Sequence, residues 1–357
     1  MSIRHSLRPL IATAVLASTP SLAEQPAAST PVNALQAHVF GTNYPISFQQ
    51  LPQRYENPAN PITAEKVTLG RMLYFETRLS KNQDLSCNSC HDLAQYGVDG
   101  KPFSSGHKKQ LGGRNSPTVY NAAGHHLQFW DGRAPNVEEQ AKGPILNPVE
   151  MAMPSSEHVV ATLKSIPGYV AEFQKAFPGE ADPVTYDNLG RAIGAFERQL
   201  VTPARFDKYL AGNESALNEQ EKRGMKRFAE VGCGLCHNGP AFGGGMQRLG
   251  YMVEYPDKKD QGLFEQTHRD DHRMIFRVPT LRNVARTAPY FHDGSVKDLP
   301  TAVRLMGWHQ LAKKLSDEEV NDLVAFLGSL TGELPTSYIA RPALPPSGPS
   351  TPKPDPT

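Results

Sequence analysis

The segments CNSCH, Cys87–His91, and CGLCH, Cys233–His237, decide the fold of this 357-residue chain. Both have the spacing C-x-x-C-H, and together they use all four cysteines of the sequence. This spacing is the attachment signature of a c-type haem, in which two thiols form thioether bonds and the adjacent histidine becomes the proximal iron ligand. The predicted haem-binding residues are Cys87, Cys90, His91, Cys233, Cys236 and His237. The sequence therefore predicts two covalently bound haems.

Other uses of the cysteines explain the pattern less well. Two disulfides would be the usual expectation for four cysteines in an exported chain. A redox C-x-x-C pair or a zinc site would not account for the histidine that follows each pair, and no further cysteine remains to complete a tetrahedral zinc shell. The repeated trailing histidine therefore favours haem.

The first 23 residues have the pattern of a secretory signal peptide. Arg4 and Arg8 precede a short apolar run, and Ser21-Leu22-Ala23 resembles a cleavage site. The apolar run is too short to span a bilayer, and an uncleaved N-terminal anchor is the alternative. The pattern predicts export, and thus a periplasmic location.

The charge balance indicates no nucleic-acid partner. Residues 1–23 hold two of the 37 basic residues and no acidic ones, so removing them leaves 35 basic against 36 acidic residues and a net charge of −1. General nucleic-acid binding requires clustered Lys and Arg. Local patches that dock a small protein remain possible, and no other segment of the sequence is apolar over a transmembrane length.

A second repeat follows each haem motif. Residues 117–132, PTVYNAAGHHLQFWDG, and residues 279–294, PTLRNVARTAPYFHDG, both fit P-T-x-x-N-x7-F-x-D-G with a constant offset of 162. The length of the chain is that of about two ordinary domains. These observations predict an internal duplication of one haem-binding unit.

Helical patterns dominate the rest of the sequence, and alternating strand patterns are scarce. Helices are predicted before each haem motif, in AEKVTLGRMLYF and NEQEKRGMKRFAE, and in the middle of the chain, in HVVATLKSIPGYVAEFQKAF and YDNLGRAIGAFERQLV. Ser316 and Glu319 form a predicted capping box for a last helix. The proline-rich tail from residue 338 to 357 is expected to be disordered or packed back on the first domain. The predicted fold is mainly α, with long loops and little β.

The combined motifs resemble the bacterial di-haem cytochrome c peroxidases, a family related to the di-haem enzymes that mature a tryptophan-derived quinone cofactor. The resemblance covers residues 45 to 335 and includes GVDGKPFSSGH, GRNSPTVYNA, FWDGRAPNVEEQAKGPILNPVEM and RVPTLRNVARTAPYFHDGSV. It implies two cytochrome c-like haem domains, here residues 24–202 for a peroxidatic haem and 203–337 for an electron-transfer haem. It also implies bound calcium and a homodimer.

The resemblance assigns the remaining iron ligands. Met306 matches the axial thioether of the second haem, whereas the quinone-maturing relatives have a tyrosine at this position. From the residues alone, Met246, Met252 and Met274 are equally good candidates. Met306 could also be a methionine that fills a gap in the core. His107 matches a removable ligand to the first haem. Taken alone, a histidine in a glycine-rich loop is more often solvated.

The resemblance also assigns the catalytic and calcium sites. Glu150 and Gln140 match the acid/base and the amide that orients peroxide, and Trp130 matches the indole between the haems. Without the resemblance these would be a loop acid, a surface amide and a core aromatic. Asn115 and the backbone oxygens of Thr287 and Pro289 match a calcium site, for which oxygen donors are suited.

The export pattern and the resemblance together imply a periplasmic peroxidase. It would reduce hydrogen peroxide to water with two electrons from a small cytochrome c or cupredoxin. Two alternatives stay open at this point: a di-haem electron carrier without a substrate, and a di-haem oxidase that acts on a protein or another large molecule.

Overall fold

A computed structural model describes residues 35–39 and 42–357. The predicted signal peptide lies outside these residues. The described residues belong to one compact unit, and none of their helices is long and apolar enough to cross a membrane.

The fold is mainly helical with little sheet, as predicted. The helices are α1 (Ala64–Tyr74), α2 (Cys87–Cys90), α3 (Val137–Leu146), α4 (Ser156–Lys164), α5 (Pro167–Ala176), α6 (Tyr186–Glu197), α7 (Arg205–Leu210), α8 (Glu219–Val231), α9 (Phe264–Thr267), α10 (Leu299–Leu311) and α11 (Asp317–Ser329). Short 3-10 turns, among them His107–Lys109 and Cys233–Leu235, join them. Strands β1 (Leu35–Val39) and β2 (Thr42–Ile46) pair antiparallel, as do β3 (Met246–Arg248) and β4 (Ile275–Arg277).

The first hydrophobic core lies in the N-terminal half, where α1 and α3 pack on α6. Leu69, Leu73 and Phe196 are fully buried there. A side chain at Gly70 would place its Cβ 1.9 Å from the carbonyl oxygen of Ala192. Glycine is therefore required where α1 crosses α6.

The second core lies in the C-terminal half, where α8 packs on α11. Gly224 allows α8 to approach α11 as closely as Gly70 allows α1 to approach α6, since a Cβ at Gly224 would lie 1.9 Å from the carbonyl oxygen of Asp322. Helix α11 begins with the predicted capping box: Glu319 N donates to Ser316 Oγ at 3.2 Å, and Ser316 N donates to Glu319 Oε2 at 2.8 Å.

Each end of the described chain packs on the opposite core. Phe48 belongs to the second core and contacts the ring of Phe206 at 5.5 Å between centroids. The proline-rich tail crosses to the N-terminal half, where Arg78 donates to Pro345 O at 2.8 Å and Gln83 Nε2 donates to Pro352 O at 2.8 Å. Ordered side-chain donors thus hold the carbonyl groups of a segment that has little apolar surface to bury.

The two P-T-x-x-N segments have matching local structure. Phe129 and Phe291, 162 residues apart, both have positive φ, 63° and 69°. Isolated β-bridges close both turns, one between Gln128 and Ala134 and one between Tyr290 and Val296. The motif asparagines, at positions 121 and 283, each donate from Nδ2 at 2.9 Å to the same hydroxyl oxygen, Oγ1 of residue 202.

Candidate haem and peroxide site

The first haem motif forms one wall of a cavity. Cys87, Cys90 and His91 all line it. The motif begins at the N-terminus of α2, where Ser86 and Ser89 make a capping box that fixes the first turn. The cysteine thiols and the imidazole therefore reach the same space from one turn of helix.

The second motif lines another cavity in the same way. Cys233, Cys236 and His237 share this cavity with Met306 of α10. The methionine is therefore brought to the same space as the histidine, which is the arrangement that two axial ligands of one iron require. Of the alternatives, neither Met246, Met252 nor Met274 lines this cavity.

Both motif histidines have one nitrogen occupied and one free. His91 Nδ1 lies 2.9 Å from Pro117 O, and His237 Nδ1 lies 3.1 Å from Phe242 O. A carbonyl oxygen only accepts, so Nδ1 carries the proton and Nε2 keeps its lone pair. Burial lowers the pKa of both imidazoles, so each is a neutral ligand, as haem iron requires.

The thiols are not activated for redox chemistry of their own. Burial raises the pKa of the Cys87 and Cys90 thiols. It also raises the pKa of the Cys233 thiol, to about 12. Reactive or metal-binding thiols usually have a lowered pKa because a cation or helix N-terminus stabilises the thiolate. The environment of these thiols agrees with thioether attachment.

Trp130 belongs to the walls of both cavities. Its indole Nε1 donates to Asn115 O at 2.8 Å, so the ring is held in one orientation. The second repeat has His292 at the corresponding position, stacked on Phe276 with ring centroids 4.3 Å apart. The two halves therefore differ at the place where the cavities adjoin.

Sequence reasoning missed Arg277, which also lines both cavities. The side chain is 3% exposed, and its Nη1 donates to His125 Nδ1 at 2.7 Å. Its recorded partners are Phe129 O and His125 and include no carboxylate of the described residues, and burial lowers its pKa to about 10. A buried cation without an anion is costly. The propionates of a haem would supply that anion, so the residues present fit the cofactor.

Gln140 and Glu150 line the first cavity together. Gln140 is on α3, and Glu150 is in the loop that follows, where Asn147 Nδ2 donates to Glu150 Oε1 at 2.8 Å. Burial raises the pKa of Glu150, although Arg133 and the Asn147 hydrogen bond act in the opposite direction. A carboxyl with a raised pKa facing a cavity is suited to take up and return a proton near neutral pH.

His107 is not brought to the cavity that contains His91. It is buried, yet it lines neither haem cavity. Its backbone N–H donates to Glu150 O at 2.8 Å, and its Nε2 lies 3.3 Å from Thr357 O in the tail. Gly106 makes this contact possible, because a Cβ there would lie 2.0 Å from Val149 O. The histidine loop therefore rests directly on the loop that holds Glu150.

The three predicted calcium-binding residues meet at one small cavity. Asn115, Thr287 and Pro289 all line it. Asn115 Nδ2 donates to Lys101 O at 2.8 Å, and none of the described residues donates to its Oδ1. Arg277 and His125 line the same cavity, and no cluster of three or more His, Cys, Asp or Glu side chains among the described residues could hold a metal ion. Calcium at this cavity therefore stays a prediction that rests on the resemblance.

These sites define the class of protein. Two cavities, each with a cysteine pair and a neutral histidine and joined by a shared Trp130–Arg277 wall, are those of a protein that holds two c-type haems.

Comparison with known proteins agrees with this class. The family described as "Di-haem cytochrome c peroxidase" matches residues 64–215. The chain is 46% identical to cytochrome c551 peroxidase of Pseudomonas aeruginosa, over 86% of this chain and 90% of the relative. It is 45% identical to cytochrome c551 peroxidase of Nitrosomonas europaea, over 89% of this chain and 92% of the relative. A crystal structure of a MauG-like protein associated with microbial copper homeostasis is 29% identical, has a TM-score of 0.73, and is matched over 82% of this chain and 97% of the other.

The chain therefore belongs to the di-haem cytochrome c peroxidase family, and it is an oxidoreductase of the peroxidase type. Membership of this family implies two c-type haems.

Proposed function

We propose that this protein is a periplasmic peroxidase that reduces hydrogen peroxide by the reaction H₂O₂ + 2 e⁻ + 2 H⁺ → 2 H₂O. The electrons would come from a small soluble cytochrome c or cupredoxin. The observation that carries the proposal is the wall of the first cavity, where Gln140 and Glu150 face the space beside His91 while His107 lies elsewhere. The names of the relatives at 46% and 45% identity support the same reaction.

The cavity residues have distinct tasks. When bound, the haem would supply Lewis acidity at its iron and pass on the two electrons that come from the donor. The Glu150 carboxylate takes a proton from one peroxide oxygen and returns it to the oxygen that leaves as water. Gln140 orients peroxide by a hydrogen bond. The Asn147 amide holds Glu150 Oε1, so the carboxyl keeps one orientation through both transfers.

Electrons would enter at the second site and cross the shared wall. His237 and Met306 are suited as a saturated axial pair, which favours electron transfer over reaction with a substrate. Trp130 lies between the cavities and would assist transfer to the first site. The absence of a tyrosine at residue 306 argues against the quinone-maturing type of activity.

His107 would act as the removable ligand. Its present position, hydrogen-bonded through its backbone to the Glu150 loop, suits the state in which the first iron is open to peroxide. In the resting state the imidazole would enter the cavity, and reduction of the second haem with calcium bound at Asn115, Thr287 and Pro289 would release it.

Several further assignments belong to this proposal. The separate cores support domains at residues 24–202 and 203–337. Leu35 and Phe48, near the start of the described chain, pack on the second core, and the proline-rich tail packs on the N-terminal half. The matching turns at Phe129 and Phe291 support the duplication. We also infer a homodimer, which rests on the resemblance to the di-haem peroxidases.

The test is a steady-state assay with reduced donor and hydrogen peroxide. We expect two donor molecules to be oxidised for each peroxide consumed, with water as the product. A preparation that contains both haems and fails to oxidise any small cytochrome c or cupredoxin with peroxide would contradict the proposal.

A further inference from the structure

Besides Glu150 and the arginine-paired Asp131, the first haem cavity has a further carboxyl group on its wall, that of Glu197. It is the last residue of α6, its side chain is 4% exposed, and it lines the same cavity as Cys87 and Glu150. Among the described residues, no donor hydrogen-bonds to its carboxyl oxygens. Buried carboxyl groups are normally paired, so this exception requires an explanation.

The neighbouring cation, Arg198, already pairs with another carboxylate. Arg198 forms a bidentate pair with Glu138, with Nε at 2.7 Å from Oε1 and Nη2 at 2.8 Å from Oε2. Asn57 and Asn60 also donate to Glu138 Oε1, at 3.0 and 3.1 Å. Glu138 is thus fully satisfied, and Glu197 beside it has no cation of its own.

The neighbouring tyrosine hydroxyl groups also donate their hydrogen bonds to other acceptors. Tyr74 on α1 donates from Oη to His91 O at 2.7 Å. Tyr338, in the segment after α11, donates from Oη to Phe196 O at 2.8 Å. Neither hydroxyl hydrogen is available to Glu197.

The electrostatic surroundings favour the neutral acid. Burial raises the pKa of Glu197 to about 8, the negative charge of Glu138 on α3 acts in the same direction, and Arg198 opposes both. The other titratable groups that face it, Tyr74 on α1, Cys87 on α2 and Tyr338, carry no charge, since burial raises the pKa of each. Because Glu138 and Arg198 pair with each other, their effects on this carboxyl oppose one another, and a charge brought into the cavity would act on it in addition.

We propose that Glu197 is a redox-linked proton site, which binds one proton when the first haem accepts one electron. This inference deepens the proposed function and rests on a haem attached at Cys87 and Cys90. Ferric haem carries a net positive charge in its ring plane and ferrous haem does not, so reduction removes a counter-charge of a Glu197 carboxylate. The donor supplies the electron, solvent supplies the proton, and the carboxylate becomes the acid, so the net charge of the cavity is unchanged.

The test is a spectroelectrochemical titration of the holoprotein between pH 6 and 10. In the wild-type protein, the midpoint potential of the first haem should fall by up to about 59 mV for each tenfold decrease in proton concentration, the value for one proton per electron. The second haem, whose cavity does not include Glu197, should show a smaller dependence. In Glu197→Gln the midpoint potential of the first haem should no longer depend on pH. The matched control is Glu230→Gln, on the exposed surface of α8, in which the midpoint potential should keep its dependence on pH.

A direct count of protons gives a second measurement. Reduction of the first haem in weakly buffered solution with a pH indicator should take up about one proton in the wild-type protein and none in Glu197→Gln. If Glu197→Gln does not retain the first haem, Glu197→Asp should keep the uptake with its pH window moved.

Three results would overturn the proposal: a pH-independent first haem in the wild-type protein, no proton uptake on its reduction, or an unchanged slope in Glu197→Gln. None of these depends on peroxide turnover, which is measured separately. If the midpoint potential of the first haem does not depend on pH in a protein that turns over peroxide, only the role of Glu197 is contradicted. If the potential depends on pH in a protein that does not turn over peroxide, only the peroxidase function is contradicted.

Discussion

Glu150→Gln is the substitution that separates proton transfer from structure. Glutamine has the shape of glutamate, and its Oε1 can still accept the 2.8 Å hydrogen bond from Asn147 Nδ2. Loss of an ion pair is not involved, because Glu150 forms none. We therefore expect the free energy of unfolding to change by less than about 1 kcal/mol, the scale of one net hydrogen bond.

The effect on peroxide turnover should be much larger. General acid/base catalysis by one positioned side chain contributes about 10² to 10⁴ in rate, which corresponds to roughly 2.7 to 5.5 kcal/mol of transition-state stabilisation. An amide neither accepts the proton of peroxide nor returns it. Glu150→Gln should thus lose most of kcat/KM while both haems keep their absorption spectra.

The pH profile gives an independent check with a defined sign. The base must be ionised to take up a proton, and burial raises the pKa of Glu150. Wild-type kcat/KM should therefore decrease as pH falls through that raised pKa, above the range of an exposed carboxyl, and the variant should lose this limb. The control is Glu139→Gln, on α3 beside Gln140 but about half exposed and outside the cavity. Wild-type turnover in Glu150→Gln, or equal losses in Glu139→Gln, would refute the reasoning.

Three other predictions concern the loop, the core and the calcium site. Gly106→Ala should displace the His107 loop, since its Cβ would lie 2.0 Å from a backbone oxygen, and should thereby shift the EPR spectrum of the first haem. The control Gly328→Ala, on α11, whose Cβ meets nothing within 4 Å, should leave the spectrum unchanged; an unchanged spectrum in Gly106→Ala would contradict this. Glu138→Ala should lower the free energy of unfolding by about 3 to 5 kcal/mol in denaturant titrations, because it leaves Arg198 buried and unpaired; a change below 1 kcal/mol would count against it. Calcium at 100 times its dissociation constant should stabilise the protein by about 2.7 kcal/mol, seen as a higher melting temperature, and Asn115→Leu should remove the response; an equal response in the variant would place calcium elsewhere.

The sequence was most informative where local chemistry decides the structure. The haem motifs have fixed spacing, so Cys87 and Cys233 begin turns that bring their histidines to a cavity. The capping box at Ser316 is a local hydrogen-bond pattern and was predicted to the residue. The apolar periodicity of α1, α4 to α6, α8 and α11 placed these helices correctly.

Groups that depend on long-range packing were not predictable in this way. Arg277 and Glu197 look like ordinary surface charges in the sequence, and only the fold shows that one is a buried cation and the other a buried acid without a partner. The same holds for the proline-rich tail, whose backbone carbonyl groups accept hydrogen bonds from distant side chains such as Arg78. No sequence pattern specifies such partners.

The position of His107 has a related cause. A glycine-rich loop allows several conformations of similar energy, so its sequence does not determine whether the imidazole enters the cavity. The close contact between Gly106 and Val149 selects the position observed here.

The central claim is that the first haem can be opened to peroxide while the second stays saturated. A stepwise redox titration of the holoprotein, followed by optical and EPR spectra with peroxide added to the half-reduced form, tests it most directly. We predict that reduction of the second haem converts the first from low spin to high spin, and that this form reacts rapidly with peroxide. Two haems that both stay low spin and unreactive in the half-reduced protein would contradict the claim and identify an electron carrier instead.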